Sequence, residues 1–177
     1  GGGEELTRPL EENEWLYALY VVALGMGMRL GEILALRWEN VDFNNCEISV
    51  KETLIEVDGK VVGVGPPKSK AGSRTIAMGD AVRAALLLHK AKMMNAGLER
   101  NVFVFPTQTG TNYCKSNLTR SFKSAMKRAD VPVIRFHDMR HTHATMILSG
   151  VTDLRTVMGR LGHSSITLTA DRYTHFV

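Results

Sequence analysis

The sequence predicts an α+β domain, mostly helical, with one small antiparallel β-sheet. Three observations predict it. Apolar residues recur at helical spacing over 10–25, 80–96 and 115–129. Short strand-like runs rich in Val, Ile and Thr crowd into residues 46–78. Within that region an Asp58-Gly59 pair sits between β-rich stretches, the pattern of a tight hairpin.

Taken in order, Leu16, Leu19, Tyr20, Ala23 and Leu24 form the apolar stripe of the first helix, which Gly25 and Gly27 break. A second helix is expected over roughly 29–37, with Leu30, Ile33, Leu34 and Leu36 as its apolar set. "WENVDFNN" (38–45) reads as a turn into a strand. The strand-like runs are "CEISV", "TLIEVDGKVVGV" folded at Asp58-Gly59, and "RTIAM". A helix over 80–96 uses Val82, Leu86, Leu87, Ala91 and Met94. "VFVF" (102–105) is a short buried strand or extended segment, stopped by Pro106. Leu118, Phe122 and Met126, spaced four apart, mark an amphipathic helix over 115–129. After Pro132, helices are expected near 137–149 and 152–160, separated by Gly150, with a last short helix capped by Ser164.

A chain of 177 residues with no internal repeat reads as one domain with a sizeable core. Its longest apolar stretch, "LYALYVVALGMGM" (16–28), is too short and glycine-interrupted to span a bilayer. No signal-peptide pattern is present, and a cytoplasmic location is expected. Cys46 and Cys114 lack metal-type spacing and are expected to be reduced thiols. The formal net charge of +4 permits a nucleic-acid partner without requiring one. The opening Gly1–Gly3 reads as an expression scar or trimmed linker; residues 1–7 are set apart from a domain at 8–177.

Five segments carry reactive groups: "GMRLGEILALRW" (27–38), "PPKSKAGSRTI" (66–76), "FHDMRHTHAT" (136–145), "RLGHSSIT" (160–167) and "DRYTHF" (171–176). Singly, each has an ordinary explanation: a surface arginine, a solvated lysine, a packing tyrosine. Together they combine arginines, a lysine, histidines and a tyrosine, with almost no acid. That set suits a phosphorane-like transition state without metal. Arginine forks pair with non-bridging phosphate oxygens, lysine or histidine protonates a leaving alkoxide, and tyrosine is a covalent nucleophile. His137 and His141 are four apart and could share a helix face as metal ligands. However, no H-E-x-x-H pattern exists, Asp138 is the one nearby carboxylate, and the surrounding arginines repel a divalent ion.

These segments resemble the catalytic domain of tyrosine recombinases, the phage-integrase superfamily, and occur in its order. "GMRLGE" with "LRWENVD" resembles the first arginine box, "HDMRHTHAT" the H-x-x-R box, and "LGHSSITLTADRYTH" the histidine–tyrosine box. The resemblance implies that Arg29 and Arg140 clamp the scissile phosphate. It implies that His137 shares a proton near the nucleophile, that His163 hydrogen-bonds a non-bridging oxygen, and that Tyr173 attacks. "SKAG" (69–72) resembles the family's lysine turn, making Lys70 the general acid, with Lys68 the alternative. Glu32 resembles the acidic residue that orients these groups. Arg37 is expected to face solvent or DNA backbone, His141 and His143 to fix their helix, and His89 and His175 to be surface or packing residues. Tyr113 is the second candidate nucleophile.

The implied activity is site-specific DNA strand cleavage and rejoining through a 3′-phosphotyrosyl intermediate, with neither metal nor cofactor. The implied partners are double-stranded DNA, further copies of the full-length protein in a synaptic tetramer, and an accessory directionality factor; no membrane is implied. Box wording is nearer to integrases of conjugative transposons or prophages than to chromosome-dimer resolvases. The family's N-terminal core-binding domain is not found in this sequence, so the chain reads as an excised catalytic domain or a piece of one. The rival readings are a Xer-like resolvase, a type IB topoisomerase-like enzyme, a non-catalytic DNA-binding module that keeps the fold, and a metal-dependent phosphodiesterase.

Overall fold

A computed structural model describes residues 9–69 and 72–128. Helix α1 (Glu12–Met26) is the centre of the core, with Trp15, Leu16, Leu19, Tyr20, Val22, Ala23 and Leu24 all buried. It ends where the periodicity breaks. Gly27 takes the left-handed conformation (φ 66°), which costs a residue without a Cβ nothing. Helix α3 (Asp80–Asn95) packs along α1, closely enough that a Cβ on Gly25 would meet Val82 at 2.7 Å. Helix α4 (Lys115–Arg128) buries Leu118, Phe122, Ala125 and Met126, the stripe its spacing predicts. Among the described residues, no helix is long and apolar enough to cross a membrane.

Between α1 and α3 lie helix α2 (Leu30–Leu34) and strands β1 (Val41–Asp42), β2 (Glu47–Val50), β3 (Thr53–Val57), β4 (Lys60–Gly65) and β5 (Arg74–Ala77). The structure divides the expected single sheet into two antiparallel ladders. One has the order β1-β2-β5, with Ile48 opposite Ile76 and Val50 opposite Arg74. The other is the β3–β4 hairpin. Asp58 and Gly59 both have positive φ (51° and 75°), as a two-residue turn matched to strand twist requires. Beyond Gly65, Pro66 and Pro67 offer no amide hydrogen to a ladder, so β4 ends there. Strand β3 packs on α2 instead of joining β2.

The second helix is shorter than its sequence pattern predicts. Its helical spacing continues to Leu36, but α2 stops at Leu34 because the next residues pair across the fold. Val104 N–H donates to Leu36 O at 2.9 Å, and Trp38 N–H donates to Val102 O at 3.0 Å. The "VFVF" segment is thus extended, with Val104 and Phe105 buried and Arg37 bridged to Phe103. Arg37 does not simply face solvent. Its Nε donates to Glu52 at 2.9 Å and its guanidinium lies 4.9 Å over the Phe103 ring. Cys46 and Cys114 are free thiols. The helices expected after Pro132 lie outside the described residues.

His89 is a packing residue at the junction of these elements. Its ring lies 5.2 Å from Trp15 and 5.1 Å from Phe105, and Nε2 donates to Val104 O at 2.6 Å. Burial, with Lys92 nearby, pushes its pKa down from 6.5 to about 3. The unfolded chain therefore takes up a proton that the folded chain refuses. Stability from this group is complete above pH 6.5 and is lost as pH falls from there towards 3. Urea unfolding should weaken over that window by up to about 1.4 kcal/mol per pH unit from this site. His89→Gln should flatten the slope; an unchanged slope would assign the pH dependence to other groups.

Candidate active site

Arg29 follows the break at Gly27 and stands as the N-cap of α2, exposed to solvent. Its backbone is fixed from below: Arg29 N–H donates to Glu32 Oε1 at 2.9 Å. Glu32 lies one turn along α2 and is 4% exposed. A buried carboxylate needs a cation and hydrogen bonds. Arg74, the first residue of β5, supplies both. Its Nη1 donates to Glu32 Oε2 at 2.9 Å and its Nη2 to Oε1 at 3.1 Å, a fork-to-fork pair. Nη1 also donates to Gly72 O at 2.7 Å.

These groups wall a cavity of about 260 Å³. Among the described residues, four cations line it (Arg29, Lys68, Arg74 and Lys115) against the one carboxylate of Glu32. Lys68 is an exposed residue of the lining. Ser69 O accepts from Gly72 N–H at 2.9 Å. Lys115 begins α4, and its own N–H donates to Glu56 Oε1 on β3 at 2.7 Å. Its side chain lies against Gly31, where a Cβ would sit 3.4 Å from Lys115 Nζ and 2.5 Å from Thr53 Oγ1. The bare glycine on α2 is what lets β3 and the lysine come this close. An excess of cations around a small polar cavity favours a phosphate-sized anion.

Arg29 and Glu32 meet at this cavity through the bond from the Arg29 N–H. Lys70, His137, Arg140, His163 and Tyr173 lie outside the described residues, as do His141, His143 and His175. Sequence reasoning missed Arg74 and Lys115. Arg74 stands inside the "PPKSKAGSRTI" segment but reads there as one more strand residue. Lys115 carried a usable signal: a cation in the first turn opposes the helix dipole, which makes a favourable anion nearby worth seeking.

Burial makes the described phenols weaker candidates for nucleophilic attack. Three of the four tyrosines are Tyr17, Tyr20 and Tyr113. Burial raises the pKa of each, and the negative charge of Glu12 raises those of Tyr20 and Tyr113 further. A phenol held protonated is a poor nucleophile, which disfavours Tyr113.

Residues 5–177 match the Phage integrase family. The chain is 34% identical to a protein named tyrosine recombinase XerC-like from Caldanaerobacter subterraneus, over 92% of this chain and 46% of that one. It is 32% identical to the ICEBs1 integrase of Bacillus subtilis, over 88% of this chain and 44% of the relative. The chain therefore spans about half the length of the curated relatives it matches. Among solved structures it is similar to the Tn1549 transposon integrase in complex with transposon right end DNA. The TM-score there is 0.65 at 24% identity, covering 97% of this chain and 59% of the other. At that identity the likeness establishes the fold, that of the tyrosine recombinase catalytic domain.

Proposed function

The chain belongs to the phage integrase family, and from that premise we propose that residues 8–177 form the catalytic domain of a site-specific DNA recombinase of the integrase type. The observation that carries the reading is the cation-lined cavity that exposed Arg29 shares with the ion pair between buried Glu32 and half-buried Arg74. In this reading Tyr173 Oη attacks a DNA phosphorus and forms a 3′-phosphotyrosyl bond. The bond from phosphorus to the 5′ oxygen breaks, and Lys70, or Lys68, protonates that oxygen. Arg29 and Arg140 pair with the non-bridging oxygens, His163 donates to one of them, and His137 takes up the proton of the nucleophile. Glu32 orients Arg29. The 5′-hydroxyl of a second strand reverses the steps, conserving bond energy without a nucleotide cofactor.

Double-stranded DNA is the proposed partner, with assembly into a synaptic tetramer by the full-length protein and an accessory directionality factor setting direction. The test is incubation with a nicked duplex carrying the recombination site, followed by denaturing electrophoresis for a covalent adduct. No adduct at any site from the element's own ends would overturn the reading. Relaxation of supercoiled plasmid without partner DNA would favour the topoisomerase alternative.

The cavity also predicts how binding responds to salt. Each cation paired with a DNA phosphate releases counterions, so affinity falls linearly on a log–log plot. With a net charge of only +4, binding by this chain should be weak and steeply salt-dependent. Lys115→Gln should weaken binding across all DNA sequences and lower the salt slope by about one. Fluorescence anisotropy at several salt concentrations measures this; an unchanged slope would remove Lys115 from the interface.

A further inference from the structure

We propose that Arg74 is a positioning residue that locks the segment around Lys68 and Gly72 to the Arg29 box, so that phosphate clamp and proton donor meet one phosphate together. The proposal rests on reading a lysine of that segment as the general acid. One guanidinium joins two segments far apart in sequence. On one side it holds both oxygens of Glu32, at 2.9 and 3.1 Å, and Glu32 in turn holds the backbone N–H of Arg29 at 2.9 Å. On the other side it holds the carbonyl of Gly72 at 2.7 Å, two residues after Lys70. Gly72 N–H donates to Ser69 O, and Pro67 packs against Gly72 so tightly that a Cβ there would collide.

Arg74 has little freedom of its own. Its backbone is in register opposite Val50 in the three-stranded sheet, and both of its Nη atoms donate hydrogen bonds. A lysine at this position could reach one partner as a point charge but could not hold a carboxylate bidentately and a carbonyl at once. The pairing also matches the formal charge of Glu32, so the positive charge of exposed Arg29 is directed to an anion in the cavity. A misplacement of about 1 Å in a reacting group can cost ~100-fold in rate, and in this reading the segment held by Arg74 carries that group.

A merely structural ion pair would lower stability and slow all substrates alike. A positioning role for the proton donor makes a sharper prediction. On a nicked duplex with the natural 5′-oxygen leaving group, Arg74→Lys and Arg74→Gln should cleave roughly 10- to 100-fold more slowly than wild type. With a 5′-thio leaving group, which needs no proton, both should come within about 3-fold of wild type, because general-acid assistance is then no longer limiting. Lys70→Ala and Lys68→Ala are measured alongside, with thermal melts of every variant. Equal slowing on both leaving groups, or no slowing on either, would overturn the positioning role while leaving the lysine reading intact if a lysine variant is rescued. Rescue of neither lysine variant overturns the general-acid reading, and the positioning role with it. Arg74→Lys keeps the charge; if even that variant is unfolded by its melt, Arg74 is a stability residue and the proposal is wrong.

Discussion

Tyr173→Phe is expected to leave DNA binding intact and to abolish the covalent adduct entirely. The substitution keeps the ring and removes only the nucleophilic oxygen, so packing and phosphate contacts survive while the bond to phosphorus cannot form. The duplex should carry a nick just beyond the scissile bond, on the side of the leaving 5′-hydroxyl. The short fragment then diffuses away and religation fails, so the wild-type intermediate accumulates. The adduct should carry the 3′ side of the cleaved strand, resist denaturant, and form equally well in EDTA. Persistence of the adduct in Tyr173→Phe would move the nucleophile elsewhere. Tyr113 would be the next residue to test, although burial and Glu12 push its pKa above the ordinary tyrosine value. Inhibition by EDTA would overturn the metal-free mechanism and return His137 and His141 to consideration as ligands.

Arg29→Ala should reduce cleavage by about 10²- to 10³-fold, the usual cost of removing one preorganised donor to developing charge, ~3–4 kcal/mol. Stability should hardly change. Arg29 is exposed, and surface substitutions away from buried networks fall within about 0.5 kcal/mol. The bond that anchors this position to Glu32 is made by the backbone N–H, which alanine retains. Cleavage rates and melting curves on the same samples separate the two effects. Arg140→Ala should behave alike if Arg140 is the second half of the clamp. Activity within a few-fold of wild type in either variant would remove that arginine from the catalytic set. Glu32→Gln makes the useful contrast: it leaves Arg74 facing a neutral amide in a buried position, so it should lose stability as well as rate.

Much of this protein is legible locally. The stripe Leu16–Leu24 specified α1, the spacing of Leu118, Phe122 and Met126 specified α4, and Asp58-Gly59 specified the hairpin turn. Each depends on contacts or dihedrals within a few residues, which is the range over which periodicity and turn chemistry carry information. The ordered boxes around Arg29, Lys70, Arg140, His163 and Tyr173 are legible as a family resemblance for a different reason. The proposed phosphate chemistry calls for particular residue types, and those types stand in the sequence whatever the fold does with them.

The tertiary structure decided what depends on distant pairing. Helix α2 stops at Leu34 because Leu36 bonds to Val104, an extended segment whose backbone groups had to be satisfied somewhere. The sheet divides in two because β3 finds its partners in β4 and α2 and not in β2. His89 reads as surface or packing until Trp15 and Phe105, from segments far apart in the chain, close around it. Arg74 meets Glu32 across 42 residues, and Lys115 meets Glu56 across 59. No local pattern encodes those meetings. A buried carboxylate must acquire a cation, but the sequence offers 22 lysines and arginines, and only packing selects which one reaches it.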